Sequence, residues 1–235
     1  MTAEIKAALL SEYTFKTELH AHTLPVSTCS DFSAEELMER YSRLGVDSIV
    51  LTNHFTSSFV NKNPDAAERY AAAYSEFRAS AERYGIAPIF GMEIRFKGVS
   101  NDYLLYGITS DDLPRLCELV EGSVEEFSAI FRRQGVLFFQ AHPKRDGMVE
   151  IDPRYLDGVE SFNTHLGHNS RIGQAAAFAN ASGLIAIGGS DFHHEGHQGT
   201  CLLRTKERID SEQTLVRVLS SRDYLLDIGG SIVLP

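Results

Sequence analysis

Seven short runs of β-branched, aromatic and aliphatic residues recur along this chain, at 14–19, 48–52, 88–93, 103–108, 136–140, 158–162 and 184–188, and each reads as a strand. Between most of them the apolar period lengthens to that of a helix. Ser33 and Glu36 form a capping box, Leu37, Tyr41 and Leu44 then share one face, and Gly45 ends the segment. An alanine-rich helix is expected over 65–84, before Gly85. A second capping box, Ser123 with Glu126, leads into Phe127, Ile130 and Phe131 before Gly135. Asn169 opens another alanine-rich run that closes at Ser182 and Gly183, and a last helix is expected from 210 to about 220. The link from Glu93 to Tyr103 is too short and too polar for a helix, so the third and fourth strands should form a hairpin or an irregular pair.

Strands alternating with helices, and no GxGxxG turn, favour an α/β fold of the distorted seven-stranded (β/α)7 TIM-like barrel type over a dinucleotide-binding sheet. In such a barrel function gathers at the C-terminal ends of the strands. His20, His54, Glu93, His142, Asn163 and Asp191 stand there, one per strand, with exposed loops expected above them at 61–64 and 144–153.

Composition narrows the picture without changing it. A length of 235 residues with 43% hydrophobic content suits a single domain, 1–235. A net charge of −10 offers no general attraction to a phosphate polymer, so a small substrate is expected rather than a long nucleic acid. Cys29, Cys117 and Cys201 are widely spaced and odd in number, which indicates neither a disulfide framework nor a thiolate zinc site and fits the cytoplasm. The N-terminal segment has no leader pattern, and no run approaches the roughly 18 apolar residues of a membrane span.

The candidate chemistry lies in six of the nine histidines, His20, His22, His54, His142, His193 and His194, which follow apolar runs. Imidazole is the commonest protein metal ligand. In an extended strand His20 and His22 point to the same side and can share one ion; Asp191 and His193 repeat that spacing, behind Gly188 and Gly189, where backbone can approach closely. Several divalent ions held together need anionic ligands between them, and Glu93 is placed to bridge two with its two oxygens. His194 is a candidate acid/base or ligand-orienting group, or an exposed loop residue.

Taken in order, TELHAHT, VLTNHF, FGMEIR, AHPKR, VESFN and GSDFH resemble the PHP family, the polymerase and histidinol phosphatase domain, over a stretch from Phe15 to about Gly199. The resemblance implies a distorted seven-stranded barrel that hydrolyses phosphate esters with two or three zinc, manganese or iron ions. It assigns His20, His22, Glu93 and Asp191 to one ion, Glu93 and His142 to a second, and His54 and His193 to a third. Asp102 stands where the family often has a histidine, which makes a carboxylate ligand of the second ion. The family's acidic or histidine ligand after HxH falls in LPVSTCSDF, where Asp31 is chosen over its rival Cys29 as an anionic oxygen donor.

Phosphate would be met by Arg95, Lys144, Arg145 and Arg171, with Arg145 first because it directly follows a ligand motif and is placed to act in catalysis. His194 or a metal-activated water would protonate the leaving group. His165 and His168 are candidate substrate contacts or ordinary loop residues. The leading expectation is a metal-dependent phosphoesterase for a small phosphorylated metabolite, of the histidinol phosphate or nucleotide kind. The alternatives are a nuclease for short oligonucleotides and a non-catalytic metal-binding regulatory domain.

Overall fold

The computed structural model describes residues 1–234. The chain runs through α1 (Ala3–Glu12), β1 (Phe15–Ala21), α2 (Ala34–Arg43), β2 (Ser48–Leu51), β3 (His54–Thr56), α3 (Ser57–Lys62), α4 (Ala66–Tyr84), β4 (Ala87–Arg95) and β5 (Tyr103–Tyr106). It continues through α5 (Leu113–Leu119), α6 (Val124–Phe131), β6 (Leu137–Gln140), β7 (Gly158–Asn163), α7 (Ile172–Ser182), β8 (Ile185–Gly189), β9 (Cys201–Thr205), α8 (Glu212–Ser221), β10 (Leu225–Ile228) and β11 (Ser231–Val233).

The strands form one mixed sheet in the order β11-β10-β9-β1-β2-β4-β5-β6-β7-β8, with β3 beside the end of β4. The seven strands read from the sequence hold consecutive places in it, from β1 to β8. Pairing is parallel between β1, β2 and β4 and again between β6, β7 and β8. It is antiparallel on both sides of β5, so the short link after Glu93 does produce a hairpin, with Glu93 opposite Leu104. The sheet curls until the segment after β8 meets β1: Phe192 N donates to His20 O at 3.1 Å and His22 N to Phe192 O at 3.0 Å. Beyond β1 the sheet continues into β9, β10 and β11, which makes it larger than the expected seven strands.

The inner face of the curl is apolar, with Leu19, Val50, Ile89, Leu104, Phe139, Ile187 and Leu203 buried together. Tyr106 crosses this interior from β5 and donates its hydroxyl to Leu19 O at 2.9 Å. Gly158 is required here: a Cβ would stand 2.1 Å from the Phe139 ring. On the outer face Phe96, Tyr103, Phe127 and Phe138 stack, Tyr103 and Phe138 with ring centroids 4.9 Å apart.

Local signals explain the main helices. α2 starts at the Ser33 and Glu36 box and buries Leu37, Met38 and Tyr41, while α4 stops at Gly85 in the left-handed region, φ 70°. α6 has the expected box at Ser123 and Glu126. α7 begins at Ile172, three residues past the opening expected at Asn169, with Arg171 as a left-handed N-cap. The sequence pattern predicts none of α1, β3, α3, α5 and β9–β11. α1 buries none of its side chains and so carries no amphipathic pattern to read. Among the described residues no helix is long and apolar enough to cross a membrane.

Candidate metal centre

At the C-terminal end of the parallel strands, backbone geometry turns polar side chains inward. His20 lies one residue before the end of β1 and His22 follows it, Glu93 lies near the end of β4, His142 follows β6, and Asp191 and His193 follow β8. β3 runs parallel to the tip of β4, which sets His54 opposite Glu93, with Nδ1 2.7 Å from Oε2. His142 (φ 30°) and Asp191 (φ 49°) sit in backbone that non-glycine residues rarely adopt, at a cost of about 1–3 kcal/mol each. His142 is held there by its amide, which donates to Glu160 Oε2 at 3.0 Å. A Cβ on Gly189 would lie 2.5 Å from the His20 Cβ, so only glycine lets β8 close on β1 at this level.

Three sets of ligand-type atoms converge: His20, His22 and Asp191; Glu93, Asp102 and His142; and His22, His54 and His193. Glu93 stands between them. Its Oε1 lies 3.4 Å from His20 Nε2 and 3.1 Å from His142 Nε2, and its Oε2 lies 3.5 Å from His22 Nε2. Asp191 Oδ1 is 3.4 Å from both His20 Nε2 and His22 Nε2. His20 Nε2 and His22 Nε2 are buried without a hydrogen-bond partner. Ligand bonds of about 2.0–2.2 Å in a tetrahedral shell put neighbouring donors roughly 3.3 Å apart. The orphaned atoms and their spacing therefore fit divalent metal ions.

The other nitrogen of each β1 imidazole is anchored. His20 Nδ1 contacts Glu160 Oε1 at 2.8 Å and His22 Nδ1 contacts Ser27 Oγ at 3.1 Å, which turns both Nε2 atoms to the centre. Glu18 accepts from His20 N and Ser190 N, each at 3.0 Å, and from the Tyr41 hydroxyl at 2.8 Å, tying β1 to the end of β8. Sequence reasoning missed Glu18 and Glu160. The available signal was a glutamate inside an otherwise apolar strand, in TELHAH and VESFN.

Electrostatics follows the geometry. Burial disfavours charge on His20, yet the Glu160, Asp191 and Glu93 carboxylates hold its pKa well above the ordinary value. Burial and the neighbouring His193 and His54 push His22 well below it. Burial works against His54 and His193 as well, but Glu93 raises the first to about 10 and Asp191 the second to about 9. Burial opposes ionisation of Glu93 and Asp191, and His20 with its neighbouring imidazoles outweighs it, so both stay well below the usual carboxylate range. The centre is a set of anions held by imidazolium protons, for which metal ions are the alternative counter-charge.

Asp31 lies elsewhere. Its carboxylate takes the Nδ1 contact of His194 at 2.8 Å, and both side chains are exposed at the rim, outside the three ligand sets. The backbone decides this, because Asp31 N donates to His193 O at 2.9 Å. Cys29 lines the centre instead; burial resists its ionisation, but hydrogen bonds with His193 and His54 bring the thiol down to about 6. His22 joins the His54 and His193 set as well as the His20 set. Asp102 meets Glu93 and His142 but is also gripped by Arg95, Nε to Oδ1 at 2.5 Å and Nη2 to Oδ2 at 2.6 Å.

The centre opens into a cavity of about 240 Å³ lined by Arg95, Arg145, His165, His168 and His194 besides the ligand candidates. A second hollow of about 370 Å³ shares Cys29, His54 and Arg95 with it and adds Phe59, Lys62 and Asn63. Lys144 and Arg171 do not line either. Lys144 pairs with Glu150, and Arg171 pairs with Asp146 and donates to Lys144 O at 2.7 Å, so both brace the loop after His142. A larger hollow of about 430 Å³ between α7 and the β8 and β10 side contains no histidine or carboxylate.

A profile of the PHP domain matches residues 18–229. The chain belongs to the PHP domain family. Several solved structures share this family member's fold. A two-domain protein from Bacteroides vulgatus, described as containing a predicted PHP-like metal-dependent phosphoesterase, is 20% identical with a TM-score of 0.61. The match covers 91% of this chain and 64% of that one, so the chain spans less than two thirds of its length. PsfC from Pseudomonas syringae is 16% identical with a TM-score of 0.57, covering 86% of this chain and 88% of that one. An amidohydrolase from Chromobacterium violaceum, with bound sulfate and no metal, is 16% identical with a TM-score of 0.54, covering 87% and 96%. No curated protein sequence matches the chain.

Proposed function

We propose that this PHP domain is a metal-dependent phosphoesterase acting on a small phosphorylated metabolite, of the histidinol phosphate or nucleotide kind. The observation that carries the reading is the convergence of three ligand sets on Glu93, with buried nitrogens left unpaired at the spacing of metal ligands. His20, His22, Asp191 and Glu93 would hold one divalent ion, Glu93, His142 and Asp102 a second, and His54 and His193 a third, zinc, manganese or iron by ligand type. Such ions supply Lewis acidity and bring the pKa of a water molecule toward neutrality.

The chain's own residues do the rest. Arg145, in the cavity wall, takes phosphoryl oxygens, and Arg95 stands opposite as a second cation. His194, oriented by Asp31, donates a proton to the departing oxygen. The leaving group extends into the hollow beside Phe59 and Asn63. The small volumes and the net charge of −10 support a compact substrate over a long polymer.

Elemental analysis combined with turnover of an aryl phosphate, on wild type and His20→Ala, tests this. Two or three ions per chain, with chelator-sensitive turnover that the substitution removes, is the expected result. Metal bound without hydrolysis of any phosphate ester would leave the non-catalytic reading standing, release of mononucleotides from short oligomers would favour the nuclease, and a protein that binds no metal would overturn the site itself.

A further inference from the structure

Arg95 is the last residue of β4, two beyond Glu93, so both side chains leave the same face of the strand and point toward the centre. Its partner Asp102 is only 1% exposed, and both carboxylate oxygens are engaged by the guanidinium. Yet Asp102 is also one of the three residues converging on the position between Glu93 and His142, with Oδ2 3.8 Å from His142 Nε2. One buried carboxylate thus faces two claimants, a guanidinium already bonded to it and an ion that needs it as a ligand. Side-on pairing of this kind is among the strongest hydrogen-bonded arrangements a carboxylate makes. The positive charge also lowers the attraction of this position for a cation, by offsetting one of its two carboxylates.

We propose that Arg95 makes the ion position formed by Glu93, Asp102 and His142 the weak, exchangeable one, and couples its filling to phosphate: an ion gains Asp102 only as the guanidinium swings away, and a phosphoryl group in the cavity takes up the guanidinium that is released. Arg95 is 38% exposed at its side chain and lines both hollows, so it has room for that second position. The His20, His22 and Asp191 set has no guanidinium competitor: besides the ligand histidines, Asp191 Oδ2 is approached by the His168 imidazole at 3.7 Å and the Asn163 amide at 3.1 Å, which leaves Oδ1 to face His20 and His22. The inference rests on the metal-holding reading of the site and adds an order of filling. Ion and phosphate bind cooperatively, and by linkage each tightens the other by the same factor.

Manganese titrations of the full chain, by calorimetry and by equilibrium dialysis with elemental analysis, test this without any turnover. Wild type is expected to bind one ion distinctly more weakly than the rest, and inorganic phosphate to tighten that ion. Arg95→Met should tighten it by about tenfold and remove the phosphate effect. Arg95→Lys, which keeps charge but loses the two-point grip, should fall between. In an Asp102→Asn background Arg95→Met should tighten the ion far less, since only the direct repulsion of the guanidinium remains once Asp102 is no longer contested. The inference is overturned if Arg95→Met leaves metal affinity unchanged or weakens it, if phosphate acts equally on wild type and variant, or if the effect survives undiminished in Asp102→Asn. These outcomes are separate from the fate of the phosphoesterase reading. The pattern can hold in a protein with no turnover, and a chelator-sensitive phosphatase can lack it.

Discussion

β4, β5 and β6 carry two regions built on opposite terms. On their outer face, Phe96, Tyr103, Phe127 and Phe138 are buried ring against ring, with centroids 4.8–5.5 Å apart, and the Tyr103 hydroxyl has Asn101 as its partner. At the edge where β4 and β6 end and β5 begins, Glu93, Asp102 and His142 are equally buried, yet two carboxylates share one small site and need counter-charge there. The first region lowers the free energy of the chain whatever the solution contains. The second is stabilised only by what it binds, protons or metal. Rigid apolar packing on one face is what allows strained backbone at His142 and uncompensated polar atoms on the other.

The largest separation between the two regions should appear on truncating the aromatic one. Phe138→Ala removes a fully buried ring and is expected to cost about 3–5 kcal/mol in urea unfolding, while metal bound per folded chain stays unchanged. A loss of metal from the folded variant would show that the two regions are not independent. Glu160→Gln inverts the experiment. It weakens the anchor on His20 Nδ1 and is expected to lower metal affinity by about 10–100-fold. Equal metal affinity in this variant would remove Glu160 from the ligand-orienting role.

The smallest effect is a proton count. His54 and His193, held at about 10 and about 9, are protonated at neutral pH in the metal-free chain, so metal uptake should release protons. Calorimetry in buffers of different ionisation heat measures that release, and a metal uptake with no proton release at pH 7 would contradict the raised values. The sign for stability follows. These raised values stabilise the metal-free protein fully below the ordinary histidine pKa of about 6.5, and that contribution is lost as pH rises through about 9 and then about 10.

The ligand residues were legible because each closes a short apolar run. HAH, TNH, GMEI, AHP and GSDFH announce strand ends, and strand ends are where a curled parallel sheet exposes side chains to a common centre. Glu18 and Glu160 were not, because a glutamate within a strand looks like the solvent half of an alternating pattern until the curl buries both faces. The choice of Asp31 over Cys29 turned on a loop whose path depends on the long-range bond from Asp31 N to His193 O, which local sequence does not encode. Lys144 and Arg171 read as phosphate ligands because they are basic and near a ligand motif, whereas the loop at 143–150 uses them as internal braces. The strands beyond β8 escaped for a related reason: β9 and β10 are short and take their places by pairing with partners far away in sequence.

β1 carries Glu18 and His20 and ends just before His22, and it is flanked by β2 on one side and by β9, from near the far end of the chain, on the other. A ribosome releases β1 long before Cys201–Thr205 exists to cover it. Until then its open edge, lined by unpaired peptide groups, is a template for the wrong neighbour. Chains broken before β9 should therefore fail by edge-to-edge aggregation, even though nearly every residue of the metal centre would already have been made.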